Sequence, residues 1–396
     1  MIQTRPKLCV LTTHPIQYMA PWFRALTETS AVELEVIFLR ELDPVQQGVG
    51  FGAAFQWDLP LREGYRSRVL GIAAGFTHVP RLICRLRAAF CASRPDVVLI
   101  TGWNEPGLAA AYPLLRSLAI PVLLRGESND LRPRSGIQGL LHRSLLRLVA
   151  AIAVIGQSNR RFYLRNGVTE DRLFSGAYFV ETDRMLGMAT AHQGERAGLR
   201  KYCGFDDEDF VFSFVGKHVA FKRPIMLIEA AAQVRERGWP VKVLFAGSGK
   251  LTEALKQRAA ELGVPAHFTG FLNQTEMWRA YVPADAFVLP STNGETWGLV
   301  TNEALLFGLP VIVSDQVGCG PDLVVEGETG FIFHDGVEGL AAAMERLLQV
   351  RHRAPAMGLA GRRRVVEQYS MPVATDGLLA AVRFVLGRHG GRDARR

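Results

Sequence analysis

The sequence predicts an α/β protein built from two doubly wound parallel sheets. Short apolar runs alternate with longer segments of helical spacing along the whole chain. The runs are nearly continuous in Val, Ile and Leu, which is typical of strands buried on both faces of a parallel sheet. A polar stretch near the middle of the chain interrupts this alternation, so the strands fall into two series. A length of 396 residues is consistent with two or three domains.

The apolar runs predict five strands in the first series and six in the second. They are Leu8–Thr12, Glu35–Leu39, Val97–Thr101, Val122–Arg125 and Ala151–Ile155, followed by Val211–Val215, Val241–Ala246, Ala266–Thr269, Ala286–Leu289, Val311–Ser314 and Gly330–Phe333. Between the later strands, apolar spacing predicts helices over Ile225–Arg237, Leu251–Leu262 and Val337–Leu348. Residues 40–75 carry scattered glycines and aromatics without a period, which predicts an irregular loop over a cleft.

These patterns divide the chain into five parts. We expect a first α/β domain over 1–185, a linker over 186–209 and a second α/β domain over 210–370. A helix over 371–387 follows, and it is a candidate to pack back on the first domain. The Gly/Arg-rich residues 388–396 are expected to form a flexible basic tail. In open α/β sheets, ligands bind at the carboxyl ends of the strands, so the residues that follow each strand are the first candidates for function.

Composition narrows the function classes. The net charge is +8, and the basic excess lies in residues 1–190, with 22 Lys and Arg against 15 Asp and Glu. Such an excess suits an anionic substrate or membrane, whereas nucleic acid is not expected because no basic-aromatic motif accompanies it. The longest apolar run, Leu148–Ile155, is too short for a transmembrane helix, and Leu8–Leu11 is too short for a signal peptide. We therefore expect a cytoplasmic location. The five cysteines form no CxxC pair, which argues against a zinc site and a disulfide framework.

Two glutamates follow the predicted strand Ala286–Leu289. Glu295 lies in the strand-to-helix turn, and Glu303 lies eight positions on, a little over two helical turns away, so both side chains can point to one side. Gly298 at the helix start would let an anion approach free backbone amides. Carboxylates accept hydroxyl hydrogen bonds and suit a sugar or ribose diol. Taken alone, however, this pair favours a structural interpretation, in which one glutamate caps the helix and the other is exposed on it.

Two further loops follow strands of the second series. Lys217 and Lys222 follow Val211–Val215 and precede a helix that begins at Pro224, where they could bind a diphosphate or form a solvated basic turn. Gly247 and Ser248 open a glycine-rich turn after Val241–Ala246, which is not a P-loop because Leu251 occupies the Ser/Thr position.

Together, these motifs resemble the retaining glycosyltransferases of family 4, which have the GT-B fold of two Rossmann-like domains facing a cleft. The resemblance rests on motifs that occur in family order at family-like spacings. They are Gly216-Lys217 with Lys222, Ala246 to Gly249, Phe268 to Phe271, Ala284 to Ser291, Glu295 to Ala304, Gly308 to Ile312, Gly318 to Gly320 and Gly327 to Phe331. In two places the chain departs from the common pattern: Lys217 stands where many members have Arg, and Asp322 where many have Glu. The junction 180–183 likewise differs from the Asn-Gly-Val-Asp turn that members often have.

The resemblance implies a role for each matching residue. The second domain would bind a nucleotide-diphospho-sugar, with Glu303 on the ribose hydroxyls and Glu295 on sugar hydroxyls near the reacting carbon. Lys217 and Lys222 would bind the diphosphate and act in catalysis. The donor site would also include the glycine-rich turn and the amides at the helix start, namely Gly247, Ser248, Gly298, Leu299 and Val300. The implied reaction moves the sugar to an acceptor hydroxyl with retention, in polysaccharide or glycolipid synthesis, and uses no metal and no cofactor.

The first domain matches the family less well and would serve the acceptor, a saccharide or a lipid-linked glycan. Many members have a glycine pair after the first strand, where this chain has His14. A neutral imidazole at that strand end could bind donor phosphate or acceptor and act in catalysis, or it could be structural. Trp103, Asn104 and Glu127 follow two other strands and are further acceptor candidates, although Glu127 could instead pair with Arg125 or Arg132.

Other function classes would require other sequence features. A dinucleotide oxidoreductase would need Gly-x-Gly-x-x-Gly after the first strand, which His14-Pro15-Ile16 replaces. A metal-dependent GT-A enzyme would need Asp-x-Asp at a strand end, whereas Asp207-Glu208-Asp209 precedes a strand. A sugar-nucleotide epimerase or phosphorylase of the same fold stays open. So does a non-catalytic sugar-nucleotide-binding protein, although such a protein would be expected to lose a glutamate or a lysine.

Two helical segments of the first domain combine apolar stripes with arginines. Val79–Cys91 carries Arg81 and Arg85, and Ile137–Leu148 carries Arg143 and Arg147. The favoured interpretation is that both stripes, the second including Leu140 and Leu141, face the core. The alternative is peripheral binding to the anionic inner face of a membrane.

Overall fold

The computed structural model describes residues 5–72, 79–132, 134, 136–334 and 336–393. By internal contacts the chain divides into two compact units. Unit 1 comprises Met1–Asp43, Pro60–Tyr178 and Met371–Arg396, and unit 2 comprises Pro44–Leu59 and Phe179–Ser370. Residues 73–75 of the predicted loop and residues 394–396 of the predicted tail lie outside the described residues.

Unit 1 contains a seven-stranded sheet in the order β3-β2-β1-β4-β5-β6-β7. Its strands are β1 Lys7–Thr12, β2 Glu33–Phe38, β3 Ser67–Val69, β4 Val97–Ile100, β5 Val122–Leu124, β6 Ala151–Val154 and β7 Leu173–Ser175. Its helices are α1 Ala20–Glu28, α3 Val79–Ser93, α4 Pro106–Ser117, α5 Gly136–Leu146, α6 Gln157–Arg165 and α16 Met371–Asp393. All described strand pairs are parallel.

Unit 2 contains a six-stranded parallel sheet in the order β10-β9-β8-β11-β12-β13. Its strands are β8 Phe210–Val215, β9 Val241–Ala246, β10 Ala266–Gly270, β11 Ala286–Leu289, β12 Val311–Ser314 and β13 Gly330–Phe333. Its helices are α2 Pro44–Gln47, α7 Thr182–Ala191, α8 Arg196–Tyr202, α9 Pro224–Glu236, α10 Thr252–Glu261, α11 Trp278–Tyr281, α12 Leu299–Leu306, α13 Gly320–Leu323, α14 Val337–Gln349 and α15 Ala354–Gln368.

The apolar runs form strands because helices cover both faces of each sheet. Every residue of β8, β11 and β12 is buried, as is every residue of β4, β5 and β6. Phe212, Phe214 and Phe245 fill the core of unit 2 beside the inward faces of α9 and α14. Because neighbouring strands are parallel, the loops that follow them meet at one edge of each sheet.

The structure differs from the sequence prediction at several boundaries. It adds β3 and β7, which are edge strands of three residues each and too short to show a period. The predicted linker 186–209 is not a linker, because it includes most of α7 and all of α8 and belongs to unit 2. Residues 44–59, predicted in the first domain, belong to unit 2. The basic tail begins as helix, since α16 continues to Asp393.

The two arginine-bearing helices of unit 1 differ in packing. On α3, Leu82, Leu86 and Phe90 are buried, as predicted. On α5, the prediction of a core-facing stripe is wrong for Leu140 and Leu141, which are 61% and 60% exposed. Only Leu146 of the described α5 residues is buried. The helix lies on the surface with an apolar face open to solvent.

Among the described residues, one helical stretch, Arg351–Arg388, reaches the length and mean hydropathy of a membrane span. It comprises two successive helices, α15 and α16. Nearly half of its most apolar window is buried, and Ala374, Leu378 and Ala381 of α16 are fully covered. Core helices of globular domains have the same property.

Candidate functional site

Two loops at the carboxyl edge of the unit 2 sheet are in direct contact. A Cβ placed on Gly247 would lie 2.0 Å from the carbonyl oxygen of Gly216, so only glycine permits this approach. The His218 amide donates to the Ser248 carbonyl at 2.8 Å, and the Leu251 amide donates to the His218 carbonyl at 3.0 Å. These bonds hold the lysine-bearing loop after β8 against the glycine-rich turn after β9.

His218 fixes this junction as a neutral side chain. Its ring is fully buried, and Nδ1 lies 2.9 Å from the Thr252 hydroxyl in a hydrogen bond. Burial lowers the pKa of His218 to about 4, so the imidazole is uncharged at neutral pH. The motif search missed this residue, although a histidine directly after the first candidate lysine was a visible signal.

Lys222 and Glu295 form an ion pair at the same edge. The Lys222 ammonium donates to Glu295 Oε2, which also accepts a hydrogen bond from the Ser291 hydroxyl at 3.3 Å. Both charged side chains are largely buried. A cation held beside an anion in a shielded site keeps a fixed position, which is what a group acting on developing charge requires.

Lys217 lies in the neighbouring loop. Its ammonium donates to the carbonyl oxygen of Val49 at 2.7 Å and lies 5.0 Å from the centre of the Phe51 ring. Burial, and secondly the positive charge of Lys222, lower the pKa of Lys217. The positive charges of the two lysines therefore influence each other.

Arg223 connects the lysine loop to the loop that carries Glu295. Its backbone is left-handed, with φ of +47°, directly before α9. The guanidinium donates to the Pro290 carbonyl at 2.6 Å and to the Ser314 hydroxyl at 3.1 Å. Because these two acceptors follow or end β11 and β12, Arg223 ties three strand ends together. Sequence analysis did not single it out, although it follows Lys222 immediately.

Helix α12 begins at this edge, as predicted. Gly298 precedes it with φ of +96°, and a Cβ there would lie 2.5 Å from Leu289 Cδ2. The amides of Leu299 and Val300 belong to the first helical turn, where backbone N–H groups have no acceptor within the helix. The glycine thus brings a helix N-terminus next to the strand end.

Glu303 lies in the middle of α12, eight positions after Glu295. It is fully buried, and its Oε2 accepts a hydrogen bond from the Tyr281 hydroxyl at 2.7 Å. Seven of the eight residues of α12 are buried, since the helix packs against α7 and α15. Glu295 pairs with Lys222, whereas Glu303 points into the interior.

At the edge of the unit 1 sheet, His14 lies after β1 and is half-buried. Its Nδ1 lies 3.0 Å from the Thr13 hydroxyl. Burial and then the nearby Arg40 lower the pKa of His14, and Glu105 partly opposes them. Arg40 and Glu105 form an ion pair at 3.1 Å. Sequence analysis missed Arg40, although it follows β2 as His14 follows β1.

The other acceptor candidates differ in how far solvent reaches them. Trp103 is only 7% exposed, and its ring packs against His142, Phe162 and Tyr163. It is therefore a core residue and not a stacking surface for a sugar. Asn104 is exposed beside it. Glu127 is exposed, accepts a hydrogen bond from the Tyr178 hydroxyl and interacts electrostatically with Arg125.

In the part of the chain that the structure describes, no three His, Cys, Asp or Glu side chains form a group able to hold a metal ion. Asp207, Glu208 and Asp209 lie in the turn before β8, at the opposite end of that strand from Lys217. The carboxyl edge of the unit 2 sheet thus carries three cationic side chains, Lys217, Lys222 and Arg223.

The loops at this edge of the unit 2 sheet lie in a segment that matches a known protein family. Residues 196–364, inside unit 2, match the family described as Glycosyl transferases group 1. Over 152 residues the chain is 36% identical to sulfoquinovosyl transferase SQD2 of Arabidopsis thaliana, covering 37% of this chain and 29% of that protein. Over 225 residues it is 33% identical to the GDP-mannose-dependent alpha-(1-6)-phosphatidylinositol monomannoside mannosyltransferase of Mycolicibacterium smegmatis, covering 54% and 56%. The matches thus span about half or less of these relatives.

Solved structures match nearly the whole chain. A glycosyltransferase from Rickettsia africae superposes with a TM-score of 0.76 over 97% of this chain and 99% of that one, at 12% identity. Anabaena HepE, in complex with UDP and glucose, gives a TM-score of 0.72 over 96% and 100%, at 14% identity. The fold predicted from the sequence is confirmed: two parallel-sheet α/β domains of the GT-B glycosyltransferase type.

Proposed function

We propose that this protein is a retaining glycosyltransferase of family 4 that moves a sugar from a nucleotide-diphospho-sugar to an acceptor hydroxyl. One observation carries the proposal. Lys217, the Lys222–Glu295 pair and the start of α12 meet at the carboxyl edge of the unit 2 sheet. They lie inside the segment that matches glycosyl transferases group 1. HepE, which shares the fold, binds UDP and glucose.

The proposed chemistry uses these groups to stabilise a leaving diphosphate. The bond between the anomeric carbon and the diphosphate oxygen breaks, and its electron pair stays on that oxygen. Lys217 and Lys222 would stabilise the growing negative charge, helped by amides of the first turn of α12. The acceptor oxygen attacks from the face that the diphosphate leaves, and its proton passes to the leaving phosphate oxygen. Configuration at the anomeric carbon is then retained.

Each residue would have its own role in this reaction. Glu295 would bind sugar hydroxyls and hold Lys222 in place, because Oε2 already accepts from that ammonium. Ser248 and the Gly247 turn would complete the diphosphate site beside Lys217. Glu303 would bind the ribose hydroxyls, which requires the side chain or the residues covering it to move, since its carboxylate is buried. His14 would act on the acceptor side as a neutral imidazole.

The proposal is tested by a melting-temperature screen against UDP, GDP and ADP and their sugar conjugates, followed by a transfer assay. A nucleotide at 100 times its dissociation constant stabilises the fold by about 2.7 kcal/mol. We expect one nucleotide series to raise Tm and its sugar conjugate to be consumed only with an acceptor present. Product NMR would then show the donor's anomeric configuration. Activity in excess EDTA would match a reaction without metal, and C2 epimerisation without transfer would contradict the proposal.

We further propose that unit 1 contacts the anionic inner face of a membrane, where a lipid-linked acceptor would lie, in the synthesis of a surface polysaccharide or glycolipid. Ile137, Leu140 and Leu141 of α5 are exposed at 74%, 61% and 60%, and Arg143 and Arg147 are exposed next to them. An apolar face flanked by arginines is typical of helices that lie in a membrane interface. The named mannosyltransferase relative acts on a phosphatidylinositol compound.

Vesicle co-sedimentation tests the membrane contact. Each basic residue near an anionic surface contributes about 1 kcal/mol, so removing two should weaken binding by at least tenfold. Arg143→Ser with Arg147→Ser should release the protein from anionic vesicles. The matched pair Arg81→Ser with Arg87→Ser should not, because the apolar face of α3 is buried. Equal binding to neutral vesicles, or equal loss in both pairs, would contradict the proposal.

A further inference from the structure

Residues Pro44–Leu59, named here the strap, form an unusual part of unit 2. The chain on both sides of the strap belongs to unit 1, yet the strap packs on the unit 2 sheet edge. Its C-terminal half is anchored: the Asp58 carboxylate accepts from the amides of Gln274 and Thr275 at 3.1 and 3.0 Å. Asn273 donates from its side chain to the Gln56 carbonyl at 2.7 Å. This anchor lies just after β10.

Aromatic packing reinforces the anchor. Phe55 lies with its ring centre 4.3 Å from that of Phe271, and Trp57 lies 4.8 Å from Phe55. Phe51, nearer the N-terminal end, also packs on Phe271 at 5.0 Å. The strap therefore reaches from β10 toward the loops after β8 and β9, where the proposed donor site lies.

The tip of the strap, Gly48–Gly52, accepts hydrogen bonds from side chains of the proposed donor site. Lys217 donates its ammonium to the Val49 carbonyl at 2.7 Å. Ser248 donates its hydroxyl to the Phe51 carbonyl, also at 2.7 Å. The contact is close: a Cβ on Gly249 would lie 2.9 Å from the Gly50 carbonyl oxygen, and one on Gly50 would lie 2.9 Å from Lys217 Cδ.

We infer that the tip of the strap is a displaceable cover over the diphosphate site. This inference rests on the proposed function. Two backbone carbonyl oxygens are bonded to the ammonium of Lys217 and the hydroxyl of Ser248, the same two groups assigned to diphosphate oxygens. A charged phosphate oxygen is a stronger acceptor than a neutral carbonyl. Donor binding therefore exchanges the tip for the diphosphate, while the anchor at Asp58 stays in place.

A cover of this kind controls donor affinity. The apparent dissociation constant equals the intrinsic one divided by the fraction of molecules whose tip is released. A substitution in the tip that weakens its docking, and leaves the residues of the donor site themselves unsubstituted, should therefore tighten nucleotide binding. If the tip instead contacted the bound nucleotide, weakening its docking would lower nucleotide affinity. The direction of the affinity change therefore distinguishes a tip that covers the site from one that contacts the nucleotide.

Gly50→Ala is the sharpest test. Gly50 has φ of +90°, which alanine rarely adopts, and the added methyl would meet Lys217. We expect calorimetry to show about threefold or tighter binding of the nucleoside diphosphate selected by the melting screen. Gly263→Ala is the matched control, since Gly263 has φ of +61° and no atom near the added methyl. Its affinity should equal that of the unaltered protein.

Hydrogen exchange gives a second measurement on the full chain. With saturating nucleotide, amides of residues 49–52 should exchange faster, while those of Gln274 and Thr275 should keep their rates. Slower exchange at the tip, or weaker binding by Gly50→Ala, would overturn the inference and make the strap part of the bound site. Unchanged affinity and exchange would also overturn it. If no nucleoside diphosphate binds the unaltered protein, the proposed function itself fails, which is a different outcome.

Discussion

The carboxyl edges of the two sheets are built differently, although both follow parallel strands of similar length. In unit 2, side chains from separate strand ends bond to one another: Lys222 pairs with Glu295, and Arg223 ties the loops after β11 and β12. In unit 1, His14 and the Arg40–Glu105 pair lie at the edge, while Trp103 is buried in the core. Lys217, Lys222 and Arg223 outnumber Glu295 at the unit 2 edge, which suits the anionic ligand proposed there, whereas Arg40 and Glu105 balance each other in charge at the unit 1 edge.

The largest effect expected from this contrast is on turnover. Lys222→Ala should lower kcat by about 100-fold or more, as losses of groups that stabilise developing charge typically do. The fold should survive because the side chain lies at a loop and not in the core. Lys250→Ala is the control, since Lys250 is exposed and follows the neighbouring glycine-rich turn. A large fall in Tm with unchanged kcat would show that Lys222 is structural.

A tenfold effect is expected at Glu303, the buried residue of the proposed donor site. Glu303→Gln keeps an oxygen that can accept from Tyr281 but removes the charge, so nucleotide affinity should fall about tenfold. Tyr281→Phe should leave affinity nearly unchanged, because it removes only the partner hydroxyl. Calorimetry and melting curves measure both variants. If each variant lowers Tm and neither changes affinity, Glu303 serves to hold α12 and does not bind ribose.

The unit 2 edge also shows which features can be predicted from the sequence and which cannot. The strands of unit 2 were predicted within a residue or two because they are continuous apolar runs, and Gly298 correctly predicted the start of α12. The burial of Glu303 could not be predicted, since the sequence of α12 does not reveal that α7 and α15 pack against this helix. The Lys217–Val49 bond joins residues far apart in sequence, and no local pattern predicts such a contact.

The affinity for nucleoside diphosphate should depend on pH through the charge of Lys217 at the unit 2 edge. The pKa of Lys217 is lowered by burial and by Lys222, so its charge is lost at lower pH than that of an exposed lysine. Nucleoside diphosphate affinity should therefore hold through neutral pH and weaken on the alkaline side, below the ordinary lysine range. Lys217→Arg should move this weakening to higher pH, because a guanidinium stays charged. An alkaline limb that does not move would assign it to another group.

The smallest effect is expected at His14, on the unit 1 edge. His14→Asn should raise KM for the acceptor severalfold, as loss of one neutral hydrogen bond does, while nucleotide affinity stays unchanged. Burial and Arg40 lower the pKa of His14, so its imidazole remains neutral down to a pH below its ordinary titration range. Any acid limb that His14 contributes to kcat/KM should thus lie below that range. Arg40→Gln removes a nearby positive charge and should shift the limb to higher pH. If the acid limb stays in place in Arg40→Gln, the limb does not report His14. If nucleotide affinity falls in His14→Asn, His14 acts on the donor, and the two edges do not have separate roles.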